Sequence, residues 1–161
     1  MNIKLNHENG NATWEYENKT YSFPAEDAFE YGGYIYISAY SGNNELSHTV
    51  TDLKGEKVLS YTSHTLTMYL NGNGNDFPLK NIQSTIMRGD DICIMMKNEI
   101  LIFTRGTENV QRLVPPTGYQ FYYFKYEDEL KVVCTDINDG SDMQFRYAAL
   151  TNSWEKLSAA Y

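Results

Sequence analysis

Few side chains in this sequence have both the type and the spacing that chemistry demands. The three histidines, His7, His48 and His64, stand far apart, and none belongs to a paired ligand pattern such as H-E-x-x-H. His48 and His64 fall in expected strands, where a surface or hydrogen-bonded imidazole is the ordinary reading. Asp136-Ile-Asn-Asp-Gly-Ser-Asp142 offers Asp136, Asn138 and Asp142 as oxygen donors of the kind a calcium ion needs. Its spacing falls one residue short of a calcium loop and the closing bidentate glutamate is missing, whereas Asp139-Gly140 alone reads as a two-residue hairpin turn. Asn71-Gly-Asn-Gly-Asn-Asp76, the most polar loop, raises the same question with the same answer, and it lacks the Gly-Lys-Ser/Thr of a phosphate-cradling loop.

Nucleophilic machinery is equally sparse. There is no G-x-S-x-G elbow, and Cys93 and Cys134 sit among apolar neighbours, where free thiols behave as small hydrophobes in a reduced protein. Glu26/Asp27, Asp90/Asp91 and Glu127/Glu129 are carboxylate pairs that could serve an acid/base hydrolase if a cleft held them at the right separation. Adjacency in sequence does not supply that separation. The residues therefore imply no catalytic set, no metal ligands and no cofactor.

What stands out is tyrosine, present 14 times. Tyr31, Tyr34, Tyr36, Tyr40, Tyr119, Tyr122, Tyr123 and Tyr126 cannot all be core, because alternate side chains of a strand point outward. Outward tyrosines beside Glu127, Asp128 and Glu129 make an acidic, aromatic surface suited to a partner protein. The candidate partner-binding residues are accordingly Tyr122, Tyr126, Glu127, Asp128 and Glu129. Ordinary cross-strand packing of the rings is the plainer alternative.

The elements that must carry these residues are strands. From Gly118 to Tyr161 the chain reads as a four-stranded antiparallel meander: Gly118 to Tyr126, Leu130 to Ile137, Asp142 to Leu150 and a short strand around Trp154 to Leu157. Aromatic and β-branched runs fit a pleated surface, and Gly, Asn and Asp mark the turns between them. Ala12 to Phe23 reads as a hairpin around Glu17-Asn-Lys19. Pro24 to Tyr31, with a leading proline, early acids and Gly32-Gly33 behind it, carries the signature of a short helix, with an irregular loop as the alternative. Tyr34–Tyr40, Glu45–Asp52, Glu56–Tyr61 and His64–Leu70 read as strands. Asp91–Met96 and Glu99–Phe103 form the most apolar hairpin, with both faces covered, and Arg105–Leu113 an edge-like strand.

A repeat runs through these hairpins. Strand, turn ending in glutamate, and aliphatic strand recur with Glu45, Glu99 and Glu129 in equivalent places. Gly32-Gly-Tyr-Ile-Tyr-Ile37, Thr51-Asp-Leu-Lys-Gly-Glu-Lys57 and Tyr147-Ala-Ala-Leu-Thr-Asn-Ser-Trp-Glu-Lys-Leu157 resemble pieces of kelch-type β-propeller blades. In that family the glycine pair follows the aromatic strand, whereas here it precedes it, and one unit alone carries the tryptophan. The resemblance implies an all-β chain of hairpins in a small or irregular propeller-like array. A blade takes about 40 residues, so four blades at most fit, and a β-sandwich or open barrel is the alternative.

Composition bounds the rest. A chain of 161 residues reads as one all-β domain able to bury a core. Its net charge of −8 repels phosphate backbones and anionic membranes, which argues against nucleic acid and lipid surfaces and favours a basic partner protein. Without a basic start followed by an apolar run, and without a long apolar span, the expected location is cytoplasmic, and the sequon matches at Asn11 and Asn18 are fortuitous. The expectation is a non-enzymatic protein-binding module, similar in general composition to bacterial immunity proteins that mask basic toxins. The alternative is a carbohydrate-binding module that stacks sugars on tyrosines, Trp14 or Trp154, with calcium at Asp136 to Asp142.

Overall fold

Alternating aromatic and aliphatic residues between left-handed turns leave the backbone one economical solution, antiparallel pairing of each strand with the next. The computed structural model describes residues 1–42, 44–70 and 73–159. Among the described residues there are seventeen strands and no helix, arranged as four open sheets in which every strand pairs antiparallel with its sequence neighbour. The chain divides into two compact units, Met1–Asn81 and Ile82–Tyr161.

The first unit holds a three-stranded and a six-stranded sheet. The smaller comprises β1 (Lys4–Asn6), β2 (Asn11–Tyr16) and β3 (Lys19–Pro24). Glu17 and Asn18 join β2 to β3 at φ 51° and 63°, the paired left-handed geometry of a tight two-residue hairpin. That register sets Trp14 opposite Tyr21 and Ala12 opposite Phe23. Trp14, only 1% exposed, stacks on Tyr21 and Phe23 at 5.9 and 5.7 Å, and its indole N–H donates to the Leu53 carbonyl at 2.9 Å. The loop after Leu53 presses on the same rings: a Cβ at Gly55, φ 75°, would lie 3.2 Å from Tyr21 and 3.3 Å from Phe23.

The larger sheet is a meander of β4 (Asp27–Tyr31), β5 (Tyr34–Tyr40), β6 (Leu46–Asp52), β7 (Lys57–Tyr61), β8 (Leu66–Leu70) and β9 (Asn73–Phe77). β4 replaces the short helix expected there. Gly32 and Gly33, at φ 61° and 85°, make a two-residue hairpin turn in place of a helix cap, and Phe29 stacks flat on Tyr36 at 5.0 Å across the strand pair. Both features demand positive φ from glycine, so the local signal served either ending. β9 likewise overturns part of the expected loop at Asn71 to Asp76. Its residues are poor strand formers, but pairing with β8 and a 3.0 Å bond from the Thr67 hydroxyl to the Asp76 carboxylate hold it extended. Asn71 and Gly72, with Asn43, Ala160 and Tyr161, lie outside the described residues.

The second unit is two four-stranded meanders, the sheet type from which propeller blades are made. One is β10 (Ser84–Arg88), β11 (Asp91–Met95), β12 (Ile100–Thr104) and β13 (Val110–Leu113); the other is β14 (Tyr119–Lys125), β15 (Lys131–Asp136), β16 (Asp142–Ala148) and β17 (Ser153–Ala159). Ile92 to Met95 and Ile100 to Ile102 are all buried, so the hairpin with apolar residues on both parities does occupy the middle of its sheet. β10, which has no strand signal of its own beyond Ile86 and Met87, completes that sheet. Its buried Ser84 hydroxyl accepts from the Phe124 N–H at 3.2 Å. The expected edge strand from Arg105 is confined to β13, and the closing meander stands as read, except that five residues, 137 to 141, rather than two, join β15 to β16.

Candidate functional site

The candidate residues occupy the end of β14 and the turn that follows. A bulge shifts the register there: Phe121 pairs with Cys134, Tyr123 with Val133, and Tyr122 is the extra residue. Phe121 and Phe124 consequently point inward and are buried, while the consecutive Tyr122 and Tyr123 are both outward, 50% and 40% exposed, with their rings edge to face at 4.9 Å. The backbone beneath them is pinned. Gln83 Nε2 donates to the carbonyls of Phe121 at 2.7 Å and Tyr122 at 3.3 Å, and the Phe121 N–H donates to Lys97 at 2.9 Å. Tyr126 differs from this pair: its hydroxyl donates to the Thr85 carbonyl at 2.9 Å, and burial raises the phenol above its ordinary pKa.

The three acids of the turn sit in a less acidic place than their sequence suggests. Lys125, Lys131 and Arg146 are successive register partners across β14, β15 and β16, and Glu155 of β17 ends the row. Like charges opposite one another repel, and the turn supplies the counterions. Glu127 reaches Lys131 at 2.9 Å and Lys125 at 3.8 Å; Glu129 reaches Arg146 at 3.3 Å and Lys131 at 4.0 Å; Arg146 also meets Glu155 at 2.6 Å. The hydrogen bond from Lys131 holds the Glu127 carboxyl below its usual range. Asp128 enters through its backbone. The guanidinium of Arg88, at the end of β10, donates to the carbonyls of Glu127, at 3.1 Å, and of Asp128.

Between the two sheets of this unit lies a cleft of about 580 Å³, bordered by Arg88, Asp91, Asp128, Glu129, Arg146 and Glu155, with Cys93 in its wall. Arg88, Lys131 and Arg146 carried no sequence signal. They lie far from one another along the chain, and only the pairing of strands makes them neighbours. Cys93 is no nucleophile at neutral pH, because burial first and Asp91 second push its thiol up to about 12; burial alone does the same to Cys134.

The remaining candidates are dispersed. His48 faces its register partner Ser38, Nδ1 to Oγ 3.0 Å, stacks on Tyr61 at 4.7 Å and is lowered in pKa by burial, while His64 lies in a turn and not in a strand. In the Asp136 to Asp142 turn the carboxylates are spent locally. Asp136 accepts from the N–H of Asn138 at 2.8 Å, Asp139 from both the N–H and hydroxyl of Ser141, and Asp142 from the Thr135 hydroxyl. Among the described residues no group of three His, Cys, Asp or Glu side chains could hold a metal ion. Trp14 is too buried to meet a sugar. Trp154 lines a groove of about 410 Å³ with Tyr147 and Pro115, but its indole N–H is taken by the Val114 carbonyl at 2.8 Å.

No family profile and no curated protein matches the chain. Among solved structures it is similar to the N-terminal domain of Nup159, with a TM-score of 0.43 and 8% identity over 97% of this chain and 60% of that one. It is also similar to a chain in the S. cerevisiae assembly of Dbp5 with Nup159, Gle1, IP6 and ADP, with a TM-score of 0.40 and 10% identity over 92% of this chain and 45% of that one. The chain therefore spans less than two thirds of either.

Proposed function

We propose that this protein is a non-enzymatic protein-binding module and that Tyr122 and Tyr123, with Asp128 in the turn that follows their strand, make its contact surface. The observation that carries the reading is the tyrosine pair itself. Two large, amphipathic rings stand side by side on a bulge whose carbonyls Gln83 fixes. Rigid tyrosines add contact area at low entropic cost, which is why they recur at interface hot spots. Glu127 and Glu129 belong to the same surface but arrive paired with lysine and arginine, so their part is to set the local field rather than to offer free charge. The overall charge of −8 favours a basic partner through long-range steering. An inhibitor-type role in the cytoplasm, masking such a partner, is the form of the reading that fits this charge best.

The test is to recover a partner by affinity capture from the source cells and measure its affinity for the Tyr122→Ala/Tyr123→Ala double variant. A loss of tenfold or more is expected, since hot-spot truncations cost about 2 kcal/mol or more. Unchanged affinity would remove this surface from the interface. Asp128→Lys should slow association and steepen its dependence on salt.

A further inference from the structure

Four residues from one short stretch of the neighbouring sheet hydrogen-bond to the segment that carries the tyrosine pair, and the bonds fall in the same order along both. Gln83, just before β10, donates through Nε2 to the carbonyls of Phe121, at 2.7 Å, and Tyr122, at 3.3 Å. The Ser84 hydroxyl accepts from the Phe124 N–H at 3.2 Å, and the Thr85 carbonyl accepts from the Tyr126 hydroxyl at 2.9 Å. Arg88, the last residue of β10, donates to the carbonyls of Glu127, at 3.1 Å, and Asp128. β10 and β14 belong to different sheets, so side chains make bonds that no strand ladder supplies. They fall where β14 has lost its own ladder. The bulge at Tyr122 interrupts pairing with β15, and from Tyr126 to Leu130 the chain has left that pairing altogether. Gln83 meets the first interruption and Arg88 the second. Both act on backbone carbonyls, which leaves the outward side chains of Tyr122 and Tyr123 available.

We infer that Gln83 and Arg88 are positioning residues for the contact surface: they hold the bulge and the turn in one arrangement before a partner arrives, and so raise its affinity without touching it. Rigidity of this kind lowers the entropy lost on association. The inference rests on the protein-binding reading above and goes beyond it, because it assigns part of the affinity to a second sheet.

The test is amide hydrogen exchange, followed by NMR on the ¹⁵N-labelled full chain. Gln83→Ala should speed exchange at Phe121 and Phe124, and Arg88→Gln at Glu127, each about fivefold or more, the effect of losing one or two hydrogen bonds. Amides of the 137–141 turn, held by Asp136, Asp139 and the Gly118 carbonyl, should keep their rates. Arg88→Lys, which retains the charge and a donor, should restore part of the protection lost in Arg88→Gln. Unchanged exchange in both variants, or equal acceleration at 137–141, would overturn the inference. Gln83 is exposed, so its variant leaves the core intact and the test stands even where Arg88→Gln fails to fold. With the captured partner, Gln83→Ala should weaken binding about fivefold in the unaltered chain and no further in the Tyr122→Ala/Tyr123→Ala background; additive losses would count against positioning. Unchanged exchange removes the positioning role alone, whereas faster exchange with full partner affinity in Tyr122→Ala/Tyr123→Ala removes the contact surface itself, so the two failures are told apart.

Discussion

Two acidic turns flank β15, and they use their carboxylates in opposite ways. The turn from Ile137 to Ser141 closes on itself: the carboxylates of Asp136 and Asp139 accept from N–H groups two residues on, and Gly140 takes φ 74° to let the chain reverse. Among the described residues, the side chains of the turn from Glu127 to Glu129 accept no bond from a backbone N–H of that turn. Its two glutamates are spent on a row of cations brought by three different strands, and its backbone is tied to Arg88, about forty residues away. One turn is a piece of local chemistry and the other a piece of tertiary electrostatics, although their compositions differ little. An acidic run is therefore no measure of an acidic surface until the cations opposite it are known.

The comparison can be broken first at the strand that feeds the second turn. Phe124→Ala removes a fully buried ring just before the acids and should cost about 3–5 kcal/mol, read as a drop in the denaturation midpoint. If both turns belong to one cooperative sheet, NMR signals from 127–129 and from 137–141 will disappear at the same denaturant concentration; separate transitions would show them to be independent. Gly140→Ala strains the self-contained turn alone, at about 1–2 kcal/mol, because an alanine at that φ meets its own carbonyl. A loss near zero would mean that the turn reshapes freely.

Smaller effects sharpen the contrast. Arg146→Gln should cost less than about 1 kcal/mol, since the pairs are exposed, and the cost should vanish in high salt. The finest test is carboxyl titration by NMR. Glu127 and Asp139 are both held below their ordinary range, so each favours the fold above its unfolded pKa, and that contribution is lost as pH falls through the folded value. Molar salt should let Glu127 return towards normal, because ion pairing contributes to its depression, while Asp139, held by Ser141, should hardly move. Equal salt responses would erase the distinction. His48 runs the other way: burial lowers its folded pKa, so its penalty on stability appears as pH falls through the unfolded value of about 6.5.

Legibility followed the range of the forces involved. Trp14 to Phe23, the β11–β12 hairpin and the meander after Gly118 could be read directly, because alternation and turn residues act between neighbours in sequence. Gly32-Gly33 was ambiguous for a physical reason, as positive φ ends a helix and reverses a hairpin alike. β9 and β10 were silent, since Asn73 to Asp76 and Ser84 to Thr85 become strands only by pairing with β8 and β11. At the site, Tyr122 and the three acids were visible as types, but the inward turn of Tyr126 needed the Thr85 carbonyl, and the place of Tyr123 needed the bulge.

By itself the sequence determined that the chain is all-β, built from antiparallel hairpins whose turns carry Gly, Asn and Asp. Those are properties of φ, side-chain alternation and local hydrogen bonding, each settled within a few residues. The tertiary structure alone decided which charges survive. The row of Lys125, Lys131 and Arg146 exists only as a register, and it turns Glu127 and Glu129 from free anions into counterions, while Arg88, the register partner of Asp91, reaches the Asp128 carbonyl. Electrostatic energy depends on distance in space, and strand pairing sets that distance with little regard to separation along the chain.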